Sequence, residues 1–320
     1  MTVLGIAFSY DRALQLDGLL QSLILHCSDF PTVHLHIIYR VSNQLHASQY
    51  QQLREHYSAH KNVRFIEQAQ FRRDVLQLLI PSTTQLPLQV LLSPIARVLL
   101  AAIARRQAQA DHVLFLVDDS LFTRGFSCST AVQALARHPQ TLGVSLRLGA
   151  NTDYCYAFDK SQALPRFGPV GAGMAVYDWT TAEGDFSYPL EVSSSIYRLR
   201  DIAPVVAGLA FSNPNQLESK LSTLTGRFAR RLPWLLCFQT SVAFSAPANR
   251  VQSVMPNRSG TKAAYSSESL AQRFAAGERL LVSAYSGMVP RGCHQEVDLQ
   301  FHNPGGPSVI GSTARPAQRG

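Results

Sequence analysis

HVLFLVDDS, residues 112–120, runs a nearly unbroken apolar segment into two adjacent carboxylates, Asp118 and Asp119. A strand covered on both faces reads as a continuous hydrophobic run, so this stretch predicts a central strand of an α/β sheet. Upstream, TVLGIAF (2–8), VHLHIIYRV (33–41) and NVRFIE (62–67) read as further strands. Helical patterns separate them. Leu16, Leu19, Leu20 and Leu23 recur at helical spacing within 12–27, and ASQYQQLREHYSAH (47–60) is a polar helix. A further helix opens at Ser93 with Pro94 in its first turn and ends at the basic pair Arg105 and Arg106. Strands alternating with helices need crossover connections, which predicts a Rossmann-like, mostly parallel sheet flanked by helices.

In such a sheet ligands bind beyond the carboxyl ends of the strands, where Asp118 and Asp119 lie. Two carboxylates there call for a cation, and a divalent metal is the usual one. The structural alternative is that they cap a turn and pair with Arg124. The turn after the first strand, SYDR (9–12), offers Tyr10, Asp11 and Arg12 to the same edge, with a cap by Asp11 and a solvated Arg12 as the alternative.

The second half is less regular. TLGVSLRLG (141–149) reads as a strand, NTDYCYAFD (151–159) as a polar-aromatic one, and 186–202 as short β elements. Asn215 and Glu218 have capping-box spacing at a helix start. The segment from Asn303 to Gly320, rich in Gly, Pro and Ser, reads as a disordered tail after a single domain over 1–302.

Composition is that of a globular chain, 46% hydrophobic and 16% charged, and its net charge of +8 favours anionic partners. The basic residues are dispersed, with no aromatic-interleaved basic motif, which argues against nucleic acid. GRFARRLPW (226–234) is a basic cluster suited to a solvated helical face or to peripheral membrane contact. The five cysteines are scattered without a C-x-x-C pair, so a reducing, cytoplasmic setting is expected and no zinc site is readable. No segment approaches a spanning helix in length.

IAFSYDRALQLDGLLQSL (6–23) resembles the first strand and helix of family-2-like glycosyltransferases with the GT-A fold, and FLVDDSLF (115–122) resembles their D-x-D-type motif, here altered to D-D-S. SLRLGANTDYCY, YPLEVSSSIYRLRDI, NPNQLES, NRVQ and CHQEVDLQF are similar to a bacterial branch of that group, so the resemblance covers about residues 3–302. It implies a GT-A domain with a mixed acceptor-side second half. The implied activity moves a sugar from a nucleotide-diphosphate donor, UDP-sugar favoured, to a glycan or lipid-linked acceptor in cell-surface polysaccharide synthesis. Mn²⁺ or Mg²⁺ would be held by Asp118, Asp119 and His294. Tyr10, Asp11, Arg12 and Asp118 would meet the donor: Tyr10 the base, Asp11 the base or ribose, Arg12 a phosphate. Glu191, Asp185 and Glu218 are the candidates for the base that an inverting transfer needs. The altered motif leaves a catalytically inactive, nucleotide-sugar-binding or scaffold protein as the alternative.

Overall fold

The computed structural model describes residues 2–81, 111–249 and 263–304. Its centre is a nine-stranded sheet. Three strands follow from the first half: β1 (Val3–Tyr10), β2 (Val33–Arg40) and β3 (Val63–Glu67). The helices α1 (Ala13–His26), α2 (Gln44–His56) and α3 (Phe71–Leu79) follow them in turn. The opening stretch forms β4 (His112–Val117) and returns as the short β5 (Ser120–Phe122), after which α4 (Cys128–Arg137) leads to β6 (Thr141–Ser145). Two small hairpin strands, β7 (Tyr154–Cys155) and β8 (Lys160–Ser161), precede β9 (Gly168–Gly171) and β10 (Met174–Asp178). Then come β11 (Ser194–Arg198), α5 (Leu199–Ala207), α6 (Pro214–Ser222), α7 (Gly226–Ala229), β12 (Trp234–Phe238) and β13 (Ala243–Ser245). Helix α8 (Ser267–Ala275) and the strands β14 (Arg279–Leu280) and β15 (Phe301–His302) complete the described chain.

The strand order is β3-β2-β1-β4-β11-β6-β12-β10-β9. Strands β3, β2, β1 and β4 pair in parallel, as do β6 and β12; β11 is antiparallel to both β4 and β6, and β10 to both β12 and β9. Only β11 and β10 therefore oppose the common direction. The carboxyl ends of β1, β4 and β6 and the amino end of β11 share one edge, which carries Tyr10, Asp118, Arg147 and Glu191–Ser193.

Apolar residues on both faces of the central strands drive this layering. Leu114 and Leu116 of β4 pack with Leu16, Leu19, Leu20 and Leu23 of α1, whereas Val113 and Phe115 join Leu76 of α3 and Ile202 of α5 on the other face. Alternation along a pleated strand separates these sets, and because both are apolar the run looks continuous in sequence. Strand β6 is buried throughout and approaches β11 closely at Gly143, where an added Cβ would lie 2.6 Å from Tyr197 Cδ1 and 2.8 Å from the Ile196 carbonyl oxygen. Gly143→Ala should lower stability by about 1–3 kcal/mol through overpacking. Chemical denaturation checks this, and a loss below half a kcal/mol would show that the two strands separate freely.

Several expected elements shift. Residues 151–159 form only the two-residue β7 and a 3-10 turn, and 186–202 contributes one strand and the start of α5. The cap of α6 is Asn213, whose side chain accepts from Gln216 N, with Pro214 at the first helical position. Glu218 is therefore not the partner of an Asn215 cap. The helix expected from Ser93 to Arg106 and the tail beyond Pro304 lie outside the described residues. No helix among the described residues is long and apolar enough to cross a membrane.

Candidate active site

The edge gathers charge at the end of β4. Asp118 is buried and fully engaged: Oδ2 accepts from Ser9 Oγ at 2.9 Å and from Tyr10 N at 3.3 Å, and Oδ1 accepts from Arg12 Nη1 at 3.1 Å. Asp119 is placed differently. Its Oδ2 lies 3.6 Å from Arg12 Nη1, and its buried Oδ1 meets no donor among the described residues. Burial pushes the Asp119 carboxyl up to about 6, with Arg12 opposing and Asp118 reinforcing the shift. Arg12 is buried as well, donating through Nη2 to the Asn249 carbonyl at 2.5 Å. Burial works against its charge, but Asp118 and Asp119 outweigh that and hold its pKa above the ordinary guanidinium value.

The alternative readings of this corner fail on geometry. Asp118 and Asp119 pair with Arg12, while Arg124 donates to the Gly287 carbonyl. Asp11 does not cap α1: it sits at φ 54°, and its Oδ1 accepts from Ser42 N at 2.9 Å, tying the first loop to the end of β2. Tyr10 is half-buried with the Arg40 guanidinium 5.3 Å from its ring centre.

A second group centres on Arg147, just past β6. Its Nη2 donates to Glu191 Oε2 at 2.9 Å, and its Nη1 donates to Ser245 Oγ at 3.2 Å and to His294 Nε2 at 3.3 Å. Ser245 pairs with Ser120, and the next residue, Ala246, donates its N–H to the Asp119 carbonyl, so Arg147 connects to the Asp119 corner through β13. Glu191 is saturated by donors: besides Arg147 it accepts from Ser193 N at 2.6 Å, from Ser194 N at 3.1 Å and from the Ser195 hydroxyl. In sequence Arg147 is one more residue of the strand-like segment 141–149, and nothing in its spacing distinguishes it.

His294 donates nothing to Arg147; its Nε2 is an acceptor there, so the ring is neutral. Burial and then Arg147 lower its pKa to about 3. Among the described residues, the one set of three His, Cys, Asp or Glu side chains whose ligand atoms lie within 4.8 Å of one another is Cys27, Asp29 and Cys128. Asp118, Asp119 and His294 are thus not drawn together as a three-ligand centre. His294 instead lines a cavity of about 360 Å³ with Tyr154, Tyr156, Arg291, Gln295 and Glu296.

Asp185 and Glu218 flank this group. Asp185 Oδ1 accepts from Cys155 Sγ at 3.5 Å, between the two tyrosines of the cavity wall, while its buried Oδ2 has no hydrogen-bond partner among the described residues. Burial raises its pKa, against Arg147. Glu218 Oε2 accepts from Val192 N at 2.8 Å, and burial followed by Glu191 raises its pKa. Trp179 and Tyr197, aromatic residues of sugar-stacking type, are instead buried, donating to the carbonyls of Leu232 and of Pro189 and Glu191 respectively.

No family model matches the sequence. The bifunctional glycosyltransferase pgtA of Dictyostelium discoideum is 23% identical over 278 residues, an alignment covering 79% of this chain and 32% of that protein. The chain thus spans about a third of the length of the curated relative it matches. Among solved structures, S. aureus TarS gives a TM-score of 0.44 at 14% identity, covering 77% of this chain and 36% of that one. The mannosyltransferase PcManGT of Pyrobaculum calidifontis, solved with GDP-Man and Mn²⁺, gives 0.42 at 12% identity, covering 78% and 58%.

Proposed function

We propose that the chain is a glycosyltransferase that takes a sugar from a nucleotide-diphosphate donor, UDP-sugar ahead of GDP-sugar, and passes it to a glycan or lipid-linked acceptor. The observation that carries this reading is Asp119: a carboxylate at the carboxyl edge of the sheet, beside a buried arginine, with one inward oxygen that meets no donor among the described residues. The likeness to a curated glycosyltransferase supports it.

Asp119 fits a divalent cation of the kind that takes one or two carboxylates and completes its shell with substrate phosphates and water. When bound, Mn²⁺ or Mg²⁺ would supply positive charge to the departing diphosphate. Asp118 stays with Arg12 and positions its guanidinium toward the same edge, where it meets a phosphate oxygen. The loop held by Asp11 and Ser42 forms the wall for the nucleoside. Across the edge, the cavity of Tyr154, Tyr156, Arg291 and His294 receives the acceptor.

Asp185 is the base in this reading. Both Glu191 oxygens are taken by donors, and Glu218 accepts from the Val192 N–H, whereas Asp185 keeps one buried oxygen without a hydrogen-bond partner among the described residues. The test is release of UDP or GDP from a panel of nucleotide sugars with Mg²⁺ or Mn²⁺. Turnover is expected, and Asp185→Asn should lower kcat by about 10²–10⁴-fold with little change in donor KM. Full activity in Asp185→Asn would move the base elsewhere. Nucleotide-sugar binding without turnover of any donor would leave the inactive, scaffold alternative standing.

A further inference from the structure

Cys27 and Cys128 are 101 positions apart and come together at the far end of α1 from Arg12. Their sulfurs are 3.9 Å apart, and both residues are buried. Asp29 completes the group. Its Oδ1 accepts from Cys27 Sγ at 3.3 Å and from Cys128 N at 2.9 Å; its Oδ2 accepts from Ser127 Oγ at 3.0 Å and Ser129 N at 2.7 Å. The three ligand atoms lie within 4.8 Å of one another.

We propose that Cys27, Asp29 and Cys128 form a thiolate-carboxylate site for a soft divalent cation of the zinc class, which ties the end of α1 to the start of α4. Tetrahedral zinc with bonds of about 2.3 Å to sulfur and 2.0 Å to oxygen separates two sulfurs by about 3.8 Å and a sulfur from an oxygen by about 3.5 Å. The observed separations of 3.9 and 3.3 Å match two edges of that tetrahedron, and the third pair of ligand atoms lies within 4.8 Å. Two thiol protons must leave for the metal to enter: the Cys27 S–H now uses one lone pair of Asp29 Oδ1, which turns to the cation on deprotonation, and Cys128 gives up its own proton as its sulfur binds. Two thiolates and a carboxylate leave a net negative charge around a dication, and the amino terminus of α4, with Ser127 as its cap, is suited to offset it. The half-buried Asp29 is the side from which a metal and a fourth, water ligand arrive. Thiolate ligands also separate this site from the all-oxygen environment at Asp119, which suits Mg²⁺ or Mn²⁺.

The test uses the full chain, purified under reducing conditions, stripped with a chelator and titrated with Co²⁺ and Zn²⁺. One equivalent of Co²⁺ should bind with a sulfur-to-metal charge-transfer band, Zn²⁺ should displace it, and Zn²⁺ should raise the melting temperature. Binding releases protons from the thiols, so affinity should rise with pH. Cys128→Ser and Asp29→Asn should each weaken Zn²⁺ by about a hundredfold or more, at least the effect of losing an outer-shell partner. Because Asp29 also holds the start of α4, Cys27→Ala, which leaves those bonds in place, is the variant that separates metal loss from misfolding. Absence of the charge-transfer band, or equal zinc content in wild type and Cys27→Ala, would overturn the proposal. So would oxidant-driven Cys27–Cys128 cross-linking without metal uptake, which would mark the pair as a dithiol instead.

Discussion

Asp119→Asn is expected to weaken metal-dependent nucleotide binding by at least about tenfold, roughly 1.4 kcal/mol, and to lower turnover by about a hundredfold or more. The same substitution should stabilise the unliganded protein at alkaline pH. The Asp119 pKa of about 6 in the folded chain lies above its ordinary 3.8, so the folded state binds the proton more tightly than the unfolded chain does. Its contribution is therefore absent as a penalty below about pH 4, grows as pH rises between the two values, and is complete above pH 6. With the side chain 20% exposed and Arg12 nearby, that penalty is about 1–3 kcal/mol. Removing the charge should thus raise the melting temperature at pH 8 and leave it unchanged at pH 4. Asp118→Asn is the control, because the amide keeps one acceptor oxygen, enough for Arg12 or for Ser9 and the Tyr10 N–H but not for both, and removes the charge that faces Arg12, so it should lower stability. Metal-dependent binding and turnover left intact in Asp119→Asn would remove the cation from this corner.

The roles of the two aspartates show how far the sequence could be read. An apolar run ending in two carboxylates placed the edge of the sheet, because strand burial and pleating are local properties. It could not tell Asp118 from Asp119. That distinction rests on Arg12, 106 positions earlier, whose guanidinium sits nearer Asp118. The α6 cap was readable in principle. N-P-N-Q-L-E offers both Asn213–Gln216 and Asn215–Glu218 spacings, and Pro214, which suits the first helical position, decides for the first. Other features had no local signal. Arg198 donates to the carbonyls of Thr141 and His138 near the end of α4, and Arg72 to those of Ala207 and Leu209 at the end of α5. Each is a buried cation at a helix carboxyl terminus and looks in sequence like an ordinary surface arginine. The Cys27–Cys128 approach is hidden in the same way, since chain spacing carries no information about partners 101 positions apart.

Arg147 is the strongest case of that kind, and Arg147→Met should lower stability by about 3–5 kcal/mol, because it leaves Glu191 as a buried charge without its cation. For a chain of 320 residues that corresponds to a fall in melting temperature of about 4–7 °C. Both side chains are only 6% exposed, so solvent cannot replace the missing partner. Glu191 would keep the N–H groups of Ser193 and Ser194, which hold its shape without cancelling its charge. Replacing the two residues together, Arg147→Met with Glu191→Leu, removes the uncompensated charge. The double variant should therefore lose much less than the sum of the single losses, a coupling of opposite sign to simple additivity. The Ser193 and Ser194 N–H groups freed by Glu191→Leu set the part that is not recovered. Activity should follow a different course, since Arg147 also holds Ser245 and His294 against the Asp119 corner, and a methionine restores neither bond. A double variant that melts near wild type but turns over donor slowly would assign Arg147 to joining the two halves of the site. Additive losses in stability would instead mean that Glu191 and Arg147 stand independently, each supported by its own backbone contacts.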